Sequence, residues 1–387
     1  MSDLSSRTAM TDIQLNILYF RSKDPAPSKY VRVLEPLGHL TRRGHRTTSI
    51  ESLAAPDETI HWDRIEQALK ECNILLISNV DIVPETMDLF KRMVAWCNQH
   101  RKLIIYDLDD LYDQVPESNP FRKITLTWDF VKEIVSMAHV LTVTGKDLQQ
   151  ALSPHHPRIF IVPNMVDCQE YKPRPRGKGA VRVGWAGGIT HLADLPIFAE
   201  AIRRLQRKYR FELVVFGMFP DLIQFTKNAE LIVRYSIHPE ELTDPFHQAY
   251  VGFVRHMEGI AYQAVPAVGY GQFPRKLSEL DLDIGLCPIQ DNLFNRCRSG
   301  IKFYQYAAVR TATVASDIYP YSDEPILLAE NAPRAWEARL ETLLGDEAFL
   351  KQTTQLQHDY VFRSRNYENN AILWEVLYQE LIRNLCR

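Results

Sequence analysis

The stretch "KLIIYDLDDLYD" (102–113) ends an apolar run with three aspartates, Asp107, Asp109 and Asp110. Carboxylates at the C-terminal end of a buried strand can hold a metal, attack a phosphoryl group, or form an acidic cleft edge that takes up a proton. A second stretch, "QDNLFNRCRSGIKFYQYAA" (290–308), carries the opposite charge. Arg296, Arg298 and Lys302 lie within seven residues there, across the expected start of a helix, with Asn295 beside them. Ser299 is placed to cap that helix, which leaves the N–H groups of Gly300, Ile301 and Lys302 near its mouth. Cations converging on a helix N-terminus at the end of a parallel strand suit a pyrophosphate. The bland alternative is a solvated basic face, but the flanking "IGLCPI" and "YQYAAV" read as buried.

A third stretch, "VGWAGGITH", runs from a strand into a glycine turn at Gly187 and Gly188. Glycines before a helix let the backbone approach an anion, and His191 could donate to a phosphate. The spacing is not the Gly-x-Gly-x-x-Gly dinucleotide fingerprint. A plain tight turn and a solvated histidine are the competing interpretations.

These stretches sit in a βα rhythm. "LNILYF", "NILLISNV", "KLIIYDL", "HVLTVTG" and "RIFIVPN" read as strands, separated by amphipathic helices such as "KYVRVLEPLGHLTRRGH" and "PETMDLFKRMVAWCNQH". The segment 167–180, "DCQEYKPRPRGKGA", is polar and basic, with prolines and glycines, as a linker would be. The rhythm then restarts with "VRVGWAGG", "FELVVFG", "LDIGLCPI" and "TATVAS" as strands, and ends in helices "PRAWEARLETLLGD" and "NAILWEVLYQELIRNL". The expectation is an α/β chain of two Rossmann-like, doubly wound domains facing a central cleft. Residues 1–170 form the first domain, 171–180 the linker and 181–360 the second domain. Residues 361–387 form a C-terminal helix that can pack back on the first. Ligands of such sheets bind outside the carboxyl ends of the strands, so the cleft is the expected site.

Composition narrows the function classes. A formal charge of −3 gives no general attraction for nucleic acid, so an anion site must be built locally. The six cysteines include no Cys-x-x-Cys pair, which argues against a zinc ribbon or a disulfide framework. "MSDLSSRTAMTD" has no apolar signal core, and no apolar run approaches the ~18 residues of a membrane span. The expected location is cytoplasmic, with room for a peripheral position at the inner membrane face. No Walker loop, Gly-x-Ser-x-Gly elbow or His-Glu-x-x-His motif is present. For "DLDD", a metal-binding Asp-x-Asp belongs to single-domain nucleotide-sugar transferases, and a phosphatase aspartate belongs on a first strand. An acidic cleft edge remains, with at least one aspartate structural.

Taken together, these pieces resemble GT-B glycosyltransferases, in particular the retaining family 4 type and related bacterial cell-surface polysaccharide enzymes. The resemblance spans nearly the whole chain. It rests on "RVLEPLGHLTRRGH", "LTVTGKDLQQAL…RIFIVPNMVDCQEYKP", "VGWAGGITHLADL" and "LDIGLCPIQDNLFNRCRSGIKFYQYAAVRTATVASDIYPYSD", with "YDLDDLYD" as a recurrent acidic element. It implies a nucleotide-diphospho-sugar donor held by the second domain, as a co-substrate without cofactor or metal. The acceptor would be a glycan, lipid-linked or protein acceptor at the first domain, with no nucleic-acid partner. Gly187, Gly188, His191, Asn295, Arg296, Arg298, Ser299, Gly300, Ile301, Lys302 and Gln305 become donor-binding residues. Asp107, Asp109 and Asp110 become the catalytic, acceptor-orienting candidates.

Family 4 members carry two glutamates with seven residues between them around the donor helix. Cys297 and Gln305 occupy those positions here. Glutamine still exchanges hydrogen bonds with a hydroxyl but carries no charge. Two rivals follow: a non-catalytic nucleotide-sugar or glycan-binding subunit, and a sugar-nucleotide epimerase.

Overall fold

The apolar runs form two six-stranded sheets in the computed structural model, which describes residues 13–22, 26–53, 61–78, 81–117, 119, 122, 127–173, 179–217 and 245–386. The first sheet contains β1 (Asn16–Arg21), β2 (Arg46–Glu51), β3 (Ile74–Ser78), β4 (Leu103–Leu108), β5 (Val140–Val143) and β6 (Ile159–Ile161). The second contains β7 (Val181–Ala186), β8 (Phe211–Phe216), β9 (Gln263–Val265), β10 (Ile284–Cys287), β11 (Ala312–Ser316) and β12 (Leu327–Ala329). All pairings within them are parallel. Parallel strands need crossovers on both faces, so their centres must be apolar throughout. Accordingly β3, β4, β5, β10 and β11 are buried at every position.

Strand order places the site. The first sheet runs β2-β1-β3-β4-β5-β6 and the second β12-β11-β10-β7-β8-β9. Chain direction across the sheet reverses between β1 and β3, and again between β7 and β10. Such switch points open a crevice at the carboxyl ends of the strands. "DLDD" leaves β4, "GGITH" leaves β7 and the basic stretch follows β10.

Three of the longer helices were not foreseen from the sequence, Pro245–His256 among them. Glu347–Ser364 was not foreseen, because its buried face holds Leu350, Thr353, Gln357 and Val361. Gln357 is polar yet buried, accepting from the Thr313 N–H at 2.8 Å and donating to its carbonyl at 3.2 Å. Trp62–Glu71 was also missed, since only Ile65 and Leu69 mark its buried face.

The chain crosses between the sheets twice at one place. Outgoing Val166 accepts from the Tyr367 N–H and donates to the Arg365 carbonyl, and the Asn366 side chain accepts from the Cys168 N–H. The returning helix Ile372–Leu385 buries Trp374, Tyr378 and Leu381 with Leu15, Ile17, Val33 and Leu37 against the first sheet. Within the expected linker, 174–178 lies outside the described residues. No helix among the described residues is long and apolar enough to cross a membrane.

Candidate functional site at the interdomain cleft

A cavity of about 930 Å³ lies where the carboxyl ends of the two sheets meet. That is within the range of pockets that enclose a sizeable small molecule. The first domain contributes Ala26–Ser28, Val31, Asp109, Asp110 and Asn164. The second contributes Ala186–Gly188, His191, Phe216, Tyr270, Phe273, Asn295, Arg298, Ser299, Ile301, Lys302 and Gln305, among others.

Lys302 has the most unusual surroundings. Its ammonium is fully covered and has no hydrogen-bond partner among the described residues. It sits 5.4 Å from the centroid of the Trp185 ring, a cation–π distance. Burial pushes its pKa down to about 8, although Asp194 pulls the other way. An unpaired buried cation destabilises the empty protein, and an arriving anion removes that penalty.

Arg298 stands beside it, reaching across the cleft to Asp110 with Nε–Oδ1 at 3.3 Å. Its NH1 also lies 3.1 Å from His191 Nε2, while His191 Nδ1 lies 3.0 Å from Asp194 Oδ2. A carboxylate only accepts and a guanidinium only donates, so His191 is the Nδ1–H tautomer with Nε2 accepting. Burial, with Lys302 and Arg298 nearby, pushes its pKa down to about 3. His191 therefore does not donate to a phosphate, as expected from sequence; it is a neutral brace for Arg298. Asp194 is fixed in turn by the Gln290 N–H at 2.9 Å.

The helix Ile301–Ala308 opens at this point. Its N-cap is Gly300 rather than Ser299, with no side-chain cap; the Phe303 N–H donates to the Gly300 carbonyl at 2.9 Å, which leaves the N–H groups of Ile301 and Lys302 at the helix mouth. Gly300 is buried behind the wall instead of lining it. A Cβ there would meet the Tyr304 hydroxyl at 3.4 Å. Gly187 does line the cavity, and a Cβ on it would strike the Trp185 ring at 2.5 Å. Gly188 faces open space. Asn295 is buried, donates to the Gln290 carbonyl at 2.8 Å and shapes the turn before the helix. Gln305 is buried and donates to the Tyr270 hydroxyl at 3.0 Å.

Besides Gly300, two more expected site residues lie away from the cavity wall. Asp107 is 1% exposed and does not line the cavity. Arg32 grips both its oxygens, at 2.8 and 2.7 Å, and Thr142, its register partner on β5, donates at 2.5 Å. With its lone pairs engaged in the core, Asp107 is a buried counter-ion rather than an acceptor-orienting group. Arg296 turns outward, is about half exposed and binds Asp291 at 2.7 Å. Asp109 and Asp110 both line the cavity. Cys297, one of the two glutamate positions, is buried in the apolar core of the first domain.

Sequence reasoning missed Arg32 and Lys29, both buried. Lys29 holds Asp81 and Ser78 at 2.6–2.7 Å, a second core ion pair. Lys29 caps a π-helical turn, Tyr30–Leu34, and Arg32 lies within it. The Glu35 N–H reaches back to the Tyr30 carbonyl, and Pro36 next to it has no N–H to continue the α pattern. The signal was "KYVR" (29–32), two cations early in the first helical segment after β1. Also missed was an aromatic wall. Tyr30, Tyr270, Phe273 and Phe216 stack in sequence with centroids 5.0, 5.7 and 5.4 Å apart. "GYGQF" (269–273) carried that signal.

No protein-family model matches the sequence, and no curated protein matches it either. Solved structures do. The glycosyltransferase from Rickettsia africae ESF-5 is 13% identical with a TM-score of 0.63, over 96% of this chain and 99% of that one. An alpha-glucosyltransferase in complex with UDP is 12% identical with a TM-score of 0.64, over 95% and 99%. The catalytic domain of starch synthase IV from Arabidopsis thaliana, bound to ADP and acarbose, is 9% identical with a TM-score of 0.62, over 96% and 100%. This is the GT-B fold. The match runs across both domains, so it covers the relation of the two sheets as well as each sheet by itself.

Proposed function

We propose that the chain transfers a sugar from a nucleoside-diphosphate sugar to an acceptor hydroxyl, with retention and without a metal. The observation that carries this is the covered, unpaired ammonium of Lys302 beside Arg298 and an uncapped helix mouth. Cleaving the donor leaves negative charge on the β-phosphate. Fixed cations and backbone N–H groups aimed there lower the barrier, each worth about 3–4 kcal/mol. UDP and ADP, the nucleotides held by two of the structural neighbours, have this diphosphate in common.

The aromatic wall of Phe216, Phe273 and Tyr270 offers a flat apolar surface for the donor's rings. Asp109 and Asp110 face the donor side from the first domain, where an acceptor hydroxyl needs a proton acceptor. The acceptor is a glycan, lipid-linked or protein hydroxyl, as in polysaccharide biosynthesis. Release of a nucleoside diphosphate from a panel of nucleotide sugars tests the proposal. A second reading, donor binding without turnover, is favoured by Gln305 and by the burial of Cys297 away from the cavity. It predicts binding with no release for any donor.

Two expectations follow at once. Arg296→Ala should leave donor affinity within about twofold, since an exposed ion pair contributes little; titration calorimetry with UDP and ADP checks this. Donor affinity should also fall above pH 8. Only the ammonium form of Lys302 attracts phosphate, so the dissociation constant should rise by up to about tenfold per pH unit. Lys302→Arg should abolish that limb. The sign for stability is opposite. The folded pKa lies below the ordinary lysine value of 10.5, so the unfolded chain binds the extra proton between about 8 and 10.5. The Lys302 penalty on folding therefore fades as pH rises through that window.

A further inference from the structure

Three consecutive residues of the basic loop are tied to the opposite domain. Cys297 has its side chain in the first domain's core, and its carbonyl accepts from the Thr144 hydroxyl at 3.4 Å. Arg298 pairs with Asp110. Ser299 accepts from the Asn164 side-chain N–H at 2.6 Å. Asn164 is itself buried, and its oxygen accepts from Arg32 NH1 at 2.8 Å. Arg32 also donates to the Val162 carbonyl at 2.6 Å and to both oxygens of Asp107. A guanidinium only donates, so this contact fixes which way the Asn164 amide faces. The amide N–H must then point at Ser299. Because Ser299 accepts from Asn164, its own O–H is left for another acceptor, and Ser299 lines the cavity.

We infer that Asn164 is a positioning residue, anchoring the loop Cys297–Ser299 to the first domain's buried Arg32–Asp107 pair. The anion pocket thus takes its shape only when both domains are docked. A second domain standing alone would keep the helix Ile301–Ala308 but lose the placement of Arg298 and Ser299. This deepens the donor-site reading above and rests on it for its functional consequence, while the anchoring can be tested without any ligand.

The test uses the full-length chain with Asn164→Ala, Ser299→Ala and the double variant. The first readout is labelling of Cys297 by N-ethylmaleimide, measured peptide by peptide against Cys97 in the same molecule. Both thiols are fully buried in the same core. The Cys297-to-Cys97 ratio should rise at least about fivefold in each single variant. The double variant should be no faster than the faster single one, since both remove one contact. An unchanged ratio, or an equal rise at both cysteines, overturns the inference. The second readout is UDP and ADP affinity together with kcat/KM for the donor, which should fall about five- to tenfold as Arg298 loses its placement at the leaving group. If wild-type protein binds no nucleotide, the donor reading fails and the labelling ratio still decides the anchor. If it binds and the variants bind equally well with unchanged labelling, the anchor fails and the donor site stands.

Discussion

Lys302→Ala should lower kcat/KM for the nucleotide-sugar donor by two to three orders of magnitude while leaving the chain folded. The size follows from removing one charge-stabilising donor aimed at the leaving group, about 3–4 kcal/mol in a site shielded from water. Folding should not suffer, because the ammonium has no hydrogen-bond partner to lose among the described residues and its burial opposes folding. Stability should if anything rise slightly at neutral pH. This opposite movement of activity and stability separates a binding cation from a structural one. Steady-state kinetics and urea denaturation on the same preparation check it; parallel losses in both would place Lys302 in the scaffold instead.

Asp107→Ala should behave in the reverse way. Removing one member of a buried, hydrogen-bonded ion pair leaves Arg32 charged and unpaired, a loss of about 3–5 kcal/mol. That is a large fraction of the stability of an ordinary domain. Arg32 is 2% exposed and lies 5.1 Å from the Trp374 ring centroid on the returning helix. The damage should therefore reach the packing of helix Ile372–Leu385 on the first sheet. Urea midpoints for Asp107→Ala and Arg32→Ala, with the double variant, measure the coupling. Single variants as stable as wild type would contradict the assignment of Asp107 to the core.

The sequence made the strands legible because parallel sheets demand unbroken apolar runs, as in "NILLIS" and "KLIIY". The glycine turn and the basic helix start were legible because anion sites reuse the same backbone chemistry. Which carboxylate faces the cleft was not. Asp107 and Asp109 differ only in what meets them in space, and Arg32 lies 75 residues upstream of Asp107. Arg296 and Arg298 were indistinguishable by composition. Asp291 captures Arg296 on the surface, while Asp110 and His191 hold Arg298 in the cleft. His191 looked like a phosphate donor until Asp194 and Arg298 fixed its tautomer. The aromatic wall needs residues from both domains, Tyr30 and Tyr270, brought together only by the fold.

The central claim is that the cleft receives a nucleoside diphosphate on Lys302 and Arg298. Its most direct test is calorimetric titration of wild-type protein and Lys302→Ala with UDP, ADP, GDP and TDP at pH 7. At least one nucleotide should bind the wild type, and the variant should bind it at least tenfold more weakly. No binding by any of the four, or equal binding by both proteins, would contradict the account.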